Sequence, residues 1–138
     1  MLTVFVYGTL RAGESNDIRC AADRHAIEPP RLIGEATVRG WLHDFGAYPG
    51  LVRSDAATPV RGEVYEIVSA LLPVLDGIEE IVPGRECLFM RDTCDVEVEG
   101  RLIACLYYPI REASSHGLPR IEGGDWVSHH RARRDLAA

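Results

Sequence analysis

Residues 2–7, LTVFVY, are apolar at every position except Thr3, and the run stops at Gly8. A short, uninterrupted apolar run of this kind reads as a strand buried on both faces. Such a strand needs packed layers above and below it, which rules out a simple one-faced hairpin or a lone helical bundle. The way it ends raises a second question. Gly8 is followed by Thr9, Leu10 and Arg11 and then by a polar stretch, AGESN. Gly8 either eases a bend or lets backbone N–H groups approach a ligand, forming a small nest of donors for an anion or oxyanion. From these residues alone both readings stand.

The rest of the chain supplies the partners of that strand. Asn16 or Asp17 offers an N-cap for a short helix over the following residues. After the Pro29-Pro30 break an extended pattern resumes as RLIGEATVRGWL, and HDFGAYPGLV, rich in Gly and Pro, reads as a loop. In TPVRGEVYEI the imperfect alternation around Gly62 reads as a strand with a bulge or a glycine-relieved contact. The clearest helix follows: Ser69 is placed as its N-cap, Leu71, Leu72, Leu75 and Ile78 keep helical period, and Pro73 falls near the first turn. Gly77 and Pro83 bracket its end and leave Glu79 and Glu80 at the last turn.

CDVEV-EG-RLIAC then reads as a hairpin with a two-residue turn at Glu99-Gly100. That register sets Val98 opposite Arg101, Val96 opposite Ile103 and Cys94 opposite Cys105, with an apolar, inward face that Tyr107 extends. Asp125 is placed to cap a final short helix. The expected architecture is α+β, one domain over residues 1–138: five or six strands in a small mixed, mostly antiparallel sheet curled into a barrel-like cavity, flanked by short helices.

Several function classes drop out. No apolar run reaches the ~20 residues a membrane helix needs, and the first residues lack the basic and apolar pattern of a leader, so a cytoplasmic, non-membrane protein is expected. A net charge of −6 argues against a nucleic-acid partner, and HHRARRD at 129–135 reads as a solvated helix face. Every basic side chain is arginine, so a phosphate-cradling G-x-x-x-x-G-K loop is impossible. Cys20, Cys87, Cys94 and Cys105 form no C-x-x-C pair and converge with no histidines, so neither a metal nor another cofactor is expected. The thiols read as free. His25, His43, His116, His129 and His130 stand in polar or loop contexts and are expected at the surface, and no serine or cysteine has an evident histidine partner.

Glu79 and Glu80 are left. They read either as two solvated carboxylates or as a base in the making, because the negative end of a helix raises a carboxylate pKa and burial raises it further.

At this point the blocks line up. VYGTLR after a buried strand, YPGL in mid-chain, GEVYEI, LDGIEE and IACLYY together resemble the γ-glutamylcyclotransferase-like family, over Val4 to about Trp126. The resemblance implies a barrel-like cavity in which Tyr7, Gly8, Thr9 and Leu10 hold a γ-glutamyl group through backbone N–H groups. It implies that Glu79, ending the L-D-x-x-E block, is the catalytic glutamate, and that Tyr107 lines the cavity from the late strand. Two positions depart from the family pattern: Glu80 stands where glycine is usual, and Cys87 where tyrosine is favoured. A charge at Glu80 would raise the Glu79 pKa further.

The implied reaction is release of 5-oxoproline and a free amine from a small γ-glutamyl amide, by attack of the substrate's own α-amine, without metal, cofactor or enzyme nucleophile. Two alternatives remain open: a non-catalytic small-ligand-binding module on the same scaffold, and an enzyme that removes a γ-glutamyl protecting group during natural-product synthesis. The leaving amine and the oligomeric state are not legible.

Overall fold

The computed structural model describes residues 1–137, with side chains through Leu136. In chain order the elements are β1 (Leu2–Val6), α1 (Ile18–Arg24), β2 (Arg31–Asp44), β3 (Pro49–Arg53), β4 (Pro59–Ile67), α2 (Leu72–Ile78), β5 (Asp92–Val98), β6 (Arg101–Tyr107) and α3 (Trp126–Ala137). The six strands form one curled sheet in the order β3-β2-β4-β1-β6-β5. Every neighbouring pair is antiparallel except β1 with β6. The mixed, mostly antiparallel α+β architecture is the expected one.

β1 is buried on both faces, and the alternation of its side chains divides the core. Phe5 and the following Tyr7 point into the curl with Val60, Val64, Val96, Val98, Cys105, Tyr107 and Trp126. Val4 and Val6 point the other way, onto Ile18 and Ala22 of α1 and Leu71 and Leu75 of the α2 region. Burying these side chains contributes ~1.5–3 kcal/mol for each large apolar residue. The helices are therefore the second layer that β1 requires.

Three expectations about the elements and the histidines need correction. HDFGAYPGLV is no loop but a tight hairpin, with Asp44 opposite Pro49 and Leu42 opposite Leu51. Its Pro49 opens a strand, where a missing N–H costs least. A Cβ on Gly50 would lie 2.7 Å from both Phe45 and Ile110, so the glycine serves close packing. Of the two readings of β4, a bulge or a glycine-relieved contact, the second holds, and the register shift of this strand pair lies between Leu32 and Gly34 of β2. Gly62 itself is a glycine-relieved contact, since a Cβ there would stand 2.2 Å from the Val6 carbonyl oxygen. Ser69 does not cap α2: Ser69–Leu71 form a 3-10 turn and the α-helix begins at Leu72, with Pro73 in its first turn.

The histidines divide. His25 and His116 are exposed, but His43 is buried in β2, and His129 and His130 are partly buried against the sheet. His129 lies 2.8 Å from Asp44, and His130 stacks on Trp126. α3 packs its first turns on the core, which composition alone does not reveal. Elsewhere the local expectations hold. Asp17 caps α1 through the Arg19 N–H (2.9 Å), and Asp125 caps α3 through Ser128. Cys94 faces Cys105 across the hairpin, and both are free thiols. No helix among the described residues is long and apolar enough to cross a membrane.

Candidate active site

A cavity of about 490 Å³ opens where β1 ends and the chain turns away from the sheet. One wall is the segment Tyr7–Leu10, with Asn16 behind it; another is the end of α2, with Ile78, Glu79 and Glu80. Tyr48, Pro49, Val82, Leu88 and Phe89 complete it on the far side.

Tyr7 anchors the first wall. Its buried hydroxyl donates to the Tyr108 carbonyl (2.7 Å) and accepts from the Leu51 N–H (3.1 Å), tying β1, β3 and the end of β6 together. Burial, and then the Glu79 charge, hold its pKa well above the ordinary phenol value. Tyr7 is thus a structural post whose proton stays in place.

Beyond it the chain folds into compact turns. Arg11 N–H closes onto the Gly8 carbonyl (3.1 Å), Asn16 N–H onto Thr9 (2.9 Å) and Ile18 N–H onto Leu10 (3.0 Å). The Thr9 hydroxyl accepts from the Asn16 side chain at 3.1 Å. The carbonyls of Gly8, Thr9 and Leu10 are all engaged, yet among the described residues their three N–H groups donate to nothing in the protein. Unpartnered backbone donors are rare in folded chains, and three in a row beside a cavity are free to donate to a carbonyl oxygen or an anion.

Gly8 does not adopt a left-handed conformation, so a bend is not what demands glycine. A Cβ there would stand 2.8 Å from Cγ of Pro49. The close approach of the Tyr7–Leu10 segment to the Pro49 ring is the physical requirement.

The opposite wall is built by a tight helix ending. Glu80 N–H bonds the Gly77 carbonyl (3.1 Å) and Ile81 N–H bonds Asp76 (3.0 Å), the paired bonds of a Schellman motif. Glu80 occupies its left-handed position at φ +57°, a place that favours glycine. This turn delivers Glu79 into the cavity. Its carboxylate has no protein hydrogen-bond partner among the described residues. Burial first, and the Glu80 charge second, push its pKa up to about 7. It therefore holds or yields a proton near neutrality.

Asp76, three residues earlier on the same helix face, accepts a hydrogen bond from the Tyr108 hydroxyl (2.7 Å) and pairs with Arg91. Burial and Asp76 together raise the Tyr108 pKa, keeping the phenol protonated. Asp76 thereby joins α2 to the chain beyond β6 and to the start of β5. On the far wall Phe45 stacks behind Tyr48 (5.3 Å between ring centroids), which leans on Phe89 (5.8 Å). Cys87 turns inward on its own loop, where its thiol accepts from the Val82 N–H.

Of the residues singled out in the sequence, Tyr7, Gly8, Thr9, Leu10 and Glu79 come together around this cavity. Tyr107 does not. It is the last residue of β6 and points into the curl, whereas Tyr108, one step on, reaches the cavity. Successive residues on a strand face opposite sides, so a one-residue ambiguity in YY decides the face. Asn16, Tyr48, Pro49 and Asp76 carried no assigned part. Only Asp76 had a readable signal, its i, i+3 spacing to Glu79.

The chain matches the family model "Gamma-glutamyl cyclotransferase, AIG2-like" over residues 4–128. It belongs to that family. Among its relatives is a provisionally named gamma-glutamylcyclotransferase of Vibrio cholerae, 36% identical and covering 89% of this chain and 93% of the relative. The gamma-L-glutamyl-butirosin B gamma-glutamyl cyclotransferase of Niallia circulans is 38% identical over 72% of this chain, which spans 61% of that protein. An AIG2-like protein from Mus musculus shares the fold, with a TM-score of 0.69, 24% identity, and coverage of 88% of this chain and 86% of the other. The family places this AIG2-like chain among the gamma-glutamylcyclotransferase-type enzymes.

Proposed function

We propose that this protein cleaves a small γ-glutamyl amide into 5-oxoproline and a free amine. The observation that carries the reading is the pairing of two features in one cavity: three unengaged N–H groups on Gly8–Leu10, and a Glu79 carboxylate with its pKa near 7. The γ-carbonyl oxygen binds toward the N–H groups, and the α-ammonium group sits at Glu79. Glu79 takes a proton from that ammonium. The freed nitrogen adds to the γ-carbon, and the carbonyl pair moves onto oxygen, where the N–H groups hold the developing charge. When the oxyanion collapses, the original C–N bond breaks and Glu79 returns the first proton to the departing nitrogen; the second proton that the attacking nitrogen must shed then passes by way of Glu79 to the released amine, which leaves as its ammonium ion. Atoms balance without water: one amide bond forms, one breaks, and Glu79 ends as it began. Confinement in the cavity supplies the folded-back glutamyl geometry that a five-membered closure needs.

A panel of γ-glutamyl substrates tests this: an alkylamine, an amino acid, glutathione and an aminoglycoside amide of the kind named for the Niallia circulans relative. Release of 5-oxoproline with equimolar amine from at least one, abolished in Glu79→Gln, is expected. Binding without turnover across the panel would sink the catalytic reading and leave a small-ligand-binding module.

A further inference from the structure

Arg11, the last residue of the turn that presents the unengaged N–H groups, is only 8% exposed, and Glu63, beneath it on β4, only 7%. The Arg11 guanidinium bonds Glu63 through Nε and Asp125 through Nη1 (2.9 Å). The second Glu63 oxygen accepts the N–H of Ala12 (3.0 Å) and the hydroxyl of Tyr65 (3.3 Å). Glu63 sits opposite Val6, in the pairing of β4 with β1. Asp125 at the same time caps α3 through Ser128. Arg11 is absent from the lining of the cavity that holds Glu79, whose wall ends at Leu10 and resumes at Asn16, and borders instead a more open groove beside Arg39 and Arg61. Its head group therefore touches no substrate in the Glu79 cavity.

We infer that Arg11, with Glu63 and Asp125, forms a clamp that sets the position of the Gly8–Leu10 N–H groups, making these three positioning residues for the proposed reaction, on which this inference rests. The backbone of the turn is tied at Gly8 by the Arg11 N–H (3.1 Å), and the side chain of that same Arg11 is tied to β4 and to the start of α3. A shift of the guanidinium thus moves the turn as a unit against Glu79. Buried ion pairs seldom add stability over well-packed apolar residues of similar volume, whereas their geometry is directional. A fixed direction is what donors aimed at an oxyanion require. The clamp also makes α3 a remote support for the site.

The test separates position from stability. In Arg11→Met/Glu63→Met two of the three charges go together and Asp125 keeps its Ser128 partners, so the variant is expected to fold, at a lowered melting temperature because the Ala12 N–H and the Tyr65 hydroxyl lose their acceptor. Its kcat is expected to fall on the order of 10- to 100-fold, with KM changed much less and the acid limb of the pH profile still near 7, because Glu79 is untouched. Arg11→Lys keeps the charge without the fork and should recover only part of the rate. Should the double variant not fold, Asp125→Asn at the outer edge of the clamp gives the same reading on a smaller scale. Wild-type kcat in the folded variants, or a loss confined to KM, overturns the inference. If the wild type releases no 5-oxoproline from any panel substrate, the proposed function fails on its own, and amide NMR decides the clamp. Shifted and faster-exchanging Gly8, Thr9 and Leu10 N–H signals in Arg11→Lys, with the β5–β6 hairpin unchanged, sustain it. Unmoved signals remove it.

Discussion

Replacing Glu79 by Gln should make the protein more stable at pH 8 while destroying its activity. The carboxyl pKa stands at about 7 in the fold against an ordinary value of 4.5. Between those two values the native state holds a proton that the unfolded chain has lost. Stability therefore falls as pH rises through this window, by about 1.4 kcal/mol per unit. Over the whole window the loss is at most about 3.4 kcal/mol, and residual solvent contact trims it to about 2–3 kcal/mol. The Gln side chain has the same shape and no charge, so it carries no such loss. Urea unfolding at pH 4.5 should find the two proteins alike, and at pH 8 should find Glu79→Gln ahead by about 2–3 kcal/mol, or on the order of 10 °C in melting temperature. Turnover should fall 100-fold or more, since an amide accepts no proton. In the wild type kcat/KM should rise with pH through a limb near 7 as the base forms. An equal stability difference at both pH values would refute the reasoning, because it would mean that the Glu79 pKa is the same folded and unfolded.

Three further outcomes test the walls of the site. Glu80→Gly should relieve the left-handed strain and add about 0.5–1 kcal/mol of stability. It should also lower the Glu79 pKa by removing the neighbouring charge, moving the acid limb of the rate profile to lower pH, with kcat changed far less than in Glu79→Gln. Gly8→Ala should push the turn off the Pro49 ring. Activity per folded molecule should drop at least about 10-fold for a stability cost of about 1 kcal/mol, and unchanged specific activity would remove the Gly8–Leu10 donors from the argument. Tyr7→Phe leaves the Leu51 N–H and the Tyr108 carbonyl without their shared partner, so thermal unfolding should report a loss of about 2 kcal/mol.

Patterns with strict local periodicity were legible in the one-dimensional record. The buried run 2–7, the Glu99-Gly100 turn with its Cys94–Cys105 pairing, and the Asp17 and Asp125 caps all follow from contacts within a few residues. Side-chain chemistry drew attention to the Glu79–Glu80 pair and to Gly8, because a carboxylate at a helix end and a glycine at a strand end are each unusual placements, and the resemblance of the sequence blocks to a known family singled out Glu79 and the Tyr7–Leu10 segment. Local pattern failed where distant chain segments decide the outcome. Tyr107 and Tyr108 are chemically alike, and only the pairing of β6 with β1 and β5 determines which one faces α2. Pro49 and Gly50 look like loop residues until β2 pairs with them. His43, His129 and His130 look solvated until the sheet and α3 cover them. Gly8 shows the division most sharply. The glycine was evident as a feature, but its reason, a proline ring 41 positions along the chain pressed against its α-carbon, exists only after β3 has folded onto the end of β1. The sequence by itself determined most of the elements and marked the candidate reactive groups, because those depend on short-range sterics and intrinsic pKa. Only the tertiary structure decided the burial that lifts Glu79 to about 7 and the clamp under Arg11, because desolvation and charge pairing depend on what the fold brings within a few ångströms.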